Sequence, residues 1–270
     1  MAAPVTEPLL FLCEEDSGVL TLPFSGSTVC LYTSRSPDKD SCNEDAAVVV
    51  PCGDTAGALA VADGLGGVSN SEKASAAVVT ELDRCIRAQE DPALIRDTLL
   101  NGIENANLEI LAMGSGAATT VIAVEVNDGS IRSIHAGDSM AIVTGQRGKL
   151  KYQTISHSPV GYALESGFME DDEAMTHDDR HYISNSVGYT DMRLELGPQL
   201  KLDPRDTLLL ASDGLYDNMT IEEIIDIIRC GPLHRCGENL VSLCHDRMLN
   251  KTDSELCKPD DLTFILYRPA

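Results

Sequence analysis

The chain has 270 residues, long enough for one large domain with a sizeable core. Apolar residues make up 43%, which argues against disorder; aromatics are only 4% and Trp is absent, so Val, Ile, Leu, Ala and Met must fill the interior. A formal net charge of −23 argues against nucleic-acid binding, which needs a positive footprint, and against an anionic membrane surface.

In chain order, residues 1–26 form a loosely patterned lead-in. "STVCLYT" (27–33) reads as a strand, rich in β-branched and aromatic residues. "AAVVVPC" and "GALAVAD" read as two more, with Gly53 and Asp54 as turn residues between them. Residues 69–90 have a helical period. "DPALIRDTLLNGIENANLEILAM" predicts a second helix, with Asp91 at the N-cap and Pro92 in the first helical position. "TTVIAVEV", "SIRSIHAGD" and "MAIVTGQRGKLKYQT" predict a strand meander, turning at residues 127–129 and 145–148. Residues 156–189 show no clean period. "DTLLLASDG" reads as a buried strand, and "TIEEIIDIIRC" as a helix with a Thr220/Glu223 capping box. A helix over about 238–250 and a final strand, "LTFILYR", close the chain. Strands joined by short turns and amphipathic helices in pairs predict an α+β fold. Two antiparallel sheets stack face to face, with helix pairs outside, in a four-layer αββα sandwich.

No segment approaches the roughly 18 to 20 apolar residues needed to span a bilayer. The N-terminus, "MAAPVTEPLLFLCEED", lacks a basic region and is a poor signal peptide. The nine cysteines are scattered without a Cys-x-x-Cys pair, which argues against structural zinc and for reduced, mostly buried thiols in a cytoplasmic protein.

The predicted strands end on acids. Asp63 follows "ALAVA", Asp138 follows "RSIHAG" and Asp213 follows "DTLLLAS". Asp260 and Asp261 precede "LTFILY", and Glu44 and Asp45 precede "AAVVV". "ALAVADGLGGVSN" poses the question most sharply, because Gly64, Gly66 and Gly67 crowd round Asp63. The glycines are either ordinary turn residues or a means of letting a ligand approach the carboxylate. Strand ends gathered at one edge of a sandwich would collect carboxylates that repel one another. Hard divalent cations resolve that, and all-oxygen ligands select Mg²⁺ or Mn²⁺.

"NEDA" (43–46), "VADGLGG" (61–67), "ATT" (118–120), "HAGDS" (135–139), "LLASDGLYD" (209–217) and "PDDLT" (259–263) occur in the order and approximate spacing of another group of proteins. Over residues 27–268 the chain resembles the bacterial-type members of the metal-dependent serine/threonine protein phosphatases, type 2C. The resemblance implies a single catalytic domain with a flap over about 156–189. It implies two Mn²⁺ or Mg²⁺ ions and a weaker third. Asp63 would bridge the two, Gly64 would offer its carbonyl, and Glu44 would sit beside the same ion. Asp213 and Asp260 would hold the other, and Asp138, Asp213 and Asp217 match the place of the third. Asp45 and Asp261 would orient water, with Thr120 nearby. Water activated by the ions would attack phosphorus with no phosphoenzyme. Substrates would be phosphorylated proteins, targets of a serine/threonine kinase, and the enzyme a cytoplasmic monomer.

Two positions depart from the pattern. Asp40 stands where many relatives have a phosphate-gripping Arg, which leaves Lys39 as the candidate phosphate-binding residue. Leu65 stands where many eukaryotic relatives have a His. A catalytically weak binding module on the same fold, or a hydrolase of small phosphoesters, are the alternative functions. His157, in "TISHSP", reads as a polar turn or core histidine, and the other histidines share no ligand spacing.

Overall fold

The structure, a computed structural model, describes residues 7–67, 69–89, 91–170, 173, 177, 179, 182–249 and 256–270. Its strands are β1 (Leu9–Leu12), β2 (Leu20–Phe24), β3 (Ser27–Ser34), β4 (Asp45–Pro51), β5 (Ala56–Asp63), β6 (Val121–Asn127) and β7 (Ser130–Ala136). They continue with β8 (Met140–Thr144), β9 (Leu150–Gln153), β10 (Glu195–Leu196), β11 (Leu200–Lys201), β12 (Thr207–Ala211) and β13 (Leu262–Arg268). One sheet runs β1-β4-β5-β6-β7-β10, with β11 also on β7; the other runs β2-β3-β13-β12-β8-β9. Every strand pair is antiparallel.

Helices α1 (Ser71–Arg87) and α2 (Ile95–Ala112) cover the first sheet. Short helices α3 (Pro159–Glu165) and α4 (Asp213–Tyr216) lie in the connections, and α5 (Ile221–Ile228) and α6 (Leu233–Leu249) cover the second sheet. This is the four-layer αββα arrangement that the pattern predicts.

Side-chain alternation builds the layers. Along β4, Ala46, Val48 and Val50 pack under α1 and α2, while Ala47 and Val49 face the other sheet. On β5, Ala58, Ala60 and Ala62 face the helices, and Leu59 and Val61 face inward. Because the period is two, each inward row can be followed to its end. Those rows lead to Asp45 on β4 and Asp63 on β5, which are register partners. On the other strands the same parity leads to Thr33, Thr120, Ser139, Ser212 and Thr263, all buried. One end of the apolar interlayer is therefore closed by a polar row. Thr33 and Thr263 bond at 2.7 Å, Thr120 and Ser139 at 2.6 Å, and Ser212 Oγ donates to Asp45 at 2.7 Å.

Four features differ from expectation. The lead-in supplies an edge strand to each sheet, β1 on β4 and β2 on β3; both are short, half-buried and weakly alternating. Helix α6 begins at Leu233, before the expected 238, because Gly237 is an interior packing residue. A Cβ at Gly237 would lie 2.8 Å from Cys30 Sγ. Cys13 and Cys42 are joined as a disulfide with Cα atoms 5.3 Å apart, so the nine cysteines are not all thiols; the other seven are free. The aperiodic stretch contains α3, capped by Ser158; four of its charged residues, Asp171, Asp172, Asp178 and Arg180, lie outside the described residues.

Candidate active site

The polar end of the interlayer opens into a cavity of about 480 Å³. Glu44, Asp63, Asp138, Asp213, Asp260 and Asp261 all line it, with Gly64, Thr120 and Lys258. Asp63 is fixed by its strand. Its backbone carbonyl accepts from Thr120 N and Thr119 Oγ1, both at 2.8 Å, and its own N–H donates to Thr120 Oγ1 at 3.1 Å. Gly64 N donates to the Glu44 carbonyl at 3.1 Å, which binds β5's exit to the start of β4. A Cβ on Gly64 would lie 2.6 Å from the Ser71 carbonyl, so this glycine admits the first residue of α1. Gly66, by contrast, borders open space.

Asp261 has both oxygens engaged. Ser36 N donates to Oδ1 at 2.7 Å, while Glu44 N and Lys39 Nζ both donate to Oδ2 at 2.7 Å. It braces the loop before β4 while lining the cavity. Lys39 also pairs with Glu44. Asp45, at 2% exposure, lies behind Asp63 instead of in the cavity wall. On the opposite side, Lys258 Nζ reaches Asp213 at 3.1 Å, Asp217 at 2.7 Å and Asp260 at 2.9 Å.

Carboxyl groups packed this closely resist ionisation. Burial, then Asp45 and Asp213, push Asp63 well above the usual carboxylate range. Burial and then Asp261 do the same to Asp45. Burial and then Asp213 raise Asp138 to about 7, and Asp260 rises for the same two reasons. Asp138 Oδ1 is also buried without a hydrogen-bond partner.

A protein phosphatase 2C model matches residues 35–246. The chain belongs to the protein phosphatase 2C family. It is a metal-dependent serine/threonine protein phosphatase, a hydrolase of phosphoproteins. A 2C-type protein phosphatase of Streptococcus pyogenes is 33% identical over 176 residues, covering 62% of this chain and 71% of that one. Phosphatase PhpP of Streptococcus pneumoniae is 29% identical over 198 residues, covering 70% and 79%. The solved structure of phosphatase Stp1 from Staphylococcus aureus superposes with a TM-score of 0.76 at 27% identity, covering 89% of this chain and 94% of that one.

The phosphatase site fits a hard divalent ion: its donors are oxygens, its acids outnumber the two lysines that pair with them, and one of their buried oxygens has no partner. Two further residues shape the phosphatase site, and only the second of them stands out in the sequence. One is Lys258, two positions before Asp260. The other is His157, whose Nδ1 accepts from Gly137 N at 3.1 Å and from Asn185 Nδ2 at 2.8 Å, pinning the turn before Asp138. His157 is buried, as a core histidine should be, and stacks on His135 at 4.5 Å and 19°. With Glu195 these histidines form a potential ligand group. Nearly parallel rings cannot both aim in-plane lone pairs at one ion, so the group is structural.

Proposed function

We propose that Asp63, Gly64 and Glu44 hold one divalent ion of this phosphatase, and Asp63, Asp213 and Asp260 a second, with Mn²⁺ or Mg²⁺ as the metal. Asp138, Asp213 and Asp217 are the proposed place of a weaker third. The observation that carries this reading is the single cavity into which Glu44, Asp63, Asp138, Asp213 and Asp260 are brought from separate strand ends. Bound ions would lower the pKa of water and draw charge from the phosphoryl oxygens.

The chain's own residues hold and orient. Asp63 is positioned by β5 and by Thr119 and Thr120. Asp45 positions Asp63 from beneath and is itself held by Ser212. Asp261 holds the loop that carries Glu44. Lys39, beside the position of the missing arginine, is the proposed phosphate-binding residue. A phosphorylated protein bearing phosphoserine or phosphothreonine is the substrate, supplied by a serine/threonine kinase. Among the described residues no helix is long and apolar enough to cross a membrane. A monomer in the cytoplasm completes the proposal; seven cysteines are free thiols, and Cys13 and Cys42 are paired.

The test is hydrolysis of a phosphothreonine peptide by chelated protein, with Mn²⁺ or Mg²⁺ restored. Activity should vanish on chelation and return with either ion. Asp63→Asn and Asp213→Asn should each lower kcat/KM by at least about 10³-fold, roughly 4 kcal/mol of transition-state stabilisation. Full activity after exhaustive chelation, or a tenth of wild-type rate in either variant, would refute the assignment.

A further inference from the structure

Lys258 belongs to the segment that leads into β13, and its main chain is locked. Its N–H donates to Asn218 Oδ1 at 3.0 Å, and Asn218 Nδ2 donates to its carbonyl at 2.8 Å and to the Gly214 carbonyl at 2.9 Å. Asn218 is fully buried. The base of the side chain therefore keeps a fixed place relative to Asp213 and Asp260.

From that base the ammonium sits among three carboxylates, each contributing its Oδ2. Asp213, Asp217 and Asp260 place one oxygen each within 4.8 Å of one another, a cluster compact enough for one ion. The ammonium takes that position with the donor chemistry of a cation and the charge of half a divalent one. Lys39 makes the corresponding contacts with Glu44 and Asp261 at the other end of the site. The two ends are unlike, however. Lys39 engages Glu44 alone of the groups assigned to the first ion, leaving Asp63 and the Gly64 carbonyl unengaged, whereas Lys258 engages two of the three acids assigned to the second, Asp213 and Asp260.

We propose that Lys258 is a tethered competitor for the divalent ion that Asp213 and Asp260 hold, so that the two ions of this phosphatase bind with unequal affinity. The inference rests on the ligand assignment above. A divalent ion entering at this end must break three ammonium–carboxylate contacts and then tolerate a positive charge a few ångströms away. An ion at the Asp63–Gly64–Glu44 end breaks one such contact, Lys39 with Glu44, and meets an ammonium that Asp261 also holds. Lys258 thereby sets the divalent concentration at which the site fills completely. The side chain is about one-third exposed and has an outward path when displaced.

The experiment is Mn²⁺ binding to the chelated, full-length protein, followed by titration calorimetry and by the paramagnetic resonance signal of free Mn²⁺. Wild type should show a stronger and a weaker class of site. Lys258→Met removes the charge and keeps the length. It should tighten the weaker class at least about tenfold and leave the stronger one within twofold, since removing a unit charge about 4 Å away relieves the repulsion felt by an ion at a partly exposed site. Lys258→Arg keeps the charge and should stay near wild type. If Lys258→Met does not fold, Lys258→Gln answers the same question. An unchanged or weakened second class in the uncharged variant overturns the competitor role and leaves the ligand assignment standing. Absence of any Mn²⁺ binding by wild type at millimolar concentration overturns the ligand assignment itself.

Discussion

Single side chains in this site do different work from their neighbours in sequence. Asp63 lines the cavity, whereas Asp45, its cross-strand partner, is buried behind it. Asp260 faces the cavity with an oxygen on Lys258, whereas Asp261 spends both oxygens on the Ser36–Glu44 loop. The motif order groups these acids; the hydrogen bonds show which of them hold the surrounding loops. Lys39 is the residue whose role can be decided most directly. Its ammonium is raised above the usual lysine range: burial pulls it down, but Asp261 and Glu44 outweigh that. It is thus a fixed positive charge at working pH. As a point charge it would hold phosphate less tightly than a bidentate Arg. Lys39→Ala should raise KM for a phosphothreonine peptide by about three- to tenfold, with kcat changing less, and Lys39→Arg should restore it. An unchanged KM would make Lys39 a loop brace only, a role its contact with Asp261 already gives it.

At the scale of elements, what the sequence made legible follows burial. Strands β4, β5, β12 and β13 carry continuous apolar runs and are buried along nearly their whole length. The capping box of α5 is present as its Thr220/Glu223 spacing predicts, and Asp91 caps the turn before α2. Edge strands β1 and β2 were obscured because one side of each is unpaired and their side chains are half-exposed. Strands β10 and β11 are two residues each, too short for any period. Glycine misleads in another way: Gly237 looks like a helix breaker and is a contact point, and Gly214 looks like a turn and is a junction. A Cβ at Gly214 would come 1.9 Å from the Asp261 carbonyl, so the start of α4 and the entry to β13 touch through backbone alone. That junction sets Asp213 against Asp260. Gly214→Ala should therefore force the two segments apart, costing about 1–3 kcal/mol by overpacking. A melting temperature lower by roughly 3–10 °C should follow. Metal affinity should fall with it. Gly66→Ala, which meets nothing within 4 Å, should melt within a degree or so of wild type. Equal melting of the two variants would show that the junction can open without cost.

Across the whole molecule, a net charge of −23 and a cavity full of acids pose one electrostatic problem, and divalent ions are its natural solution. The consequence for stability has a definite sign. Asp63, Asp45, Asp138 and Asp260 all have carboxyls raised above their unfolded values in the metal-free protein. A raised folded value means that the native state holds its protons more tightly than the unfolded chain. The stabilisation is complete below the unfolded value, near 4, and is lost as pH rises through the folded one, about 7 for Asp138. Asp213, Asp217 and Lys258 face Asp138, and only the lysine favours its charged form. Two groups act in the other direction at lower pH. Glu81 and Glu223, held down chiefly by Arg84 and Arg247, lose their contribution as pH falls below the ordinary glutamate value. His135, pulled down by burial, disfavours the fold once pH drops below 6.5. Between about pH 6.5 and 8.5 neither effect operates, and the carboxyls of the cavity dominate. The chelated protein should therefore melt at progressively lower temperature across that interval. Saturating Mg²⁺ should flatten the decline, because bound ions favour the deprotonated carboxylates and their stabilisation grows as protons leave. Melting curves at four pH values, with chelator and with Mg²⁺, test this. A chelated protein equally stable at pH 6.5 and 8.5, or a Mg²⁺ effect that shrinks with pH, would show that these acids are not short of positive charge.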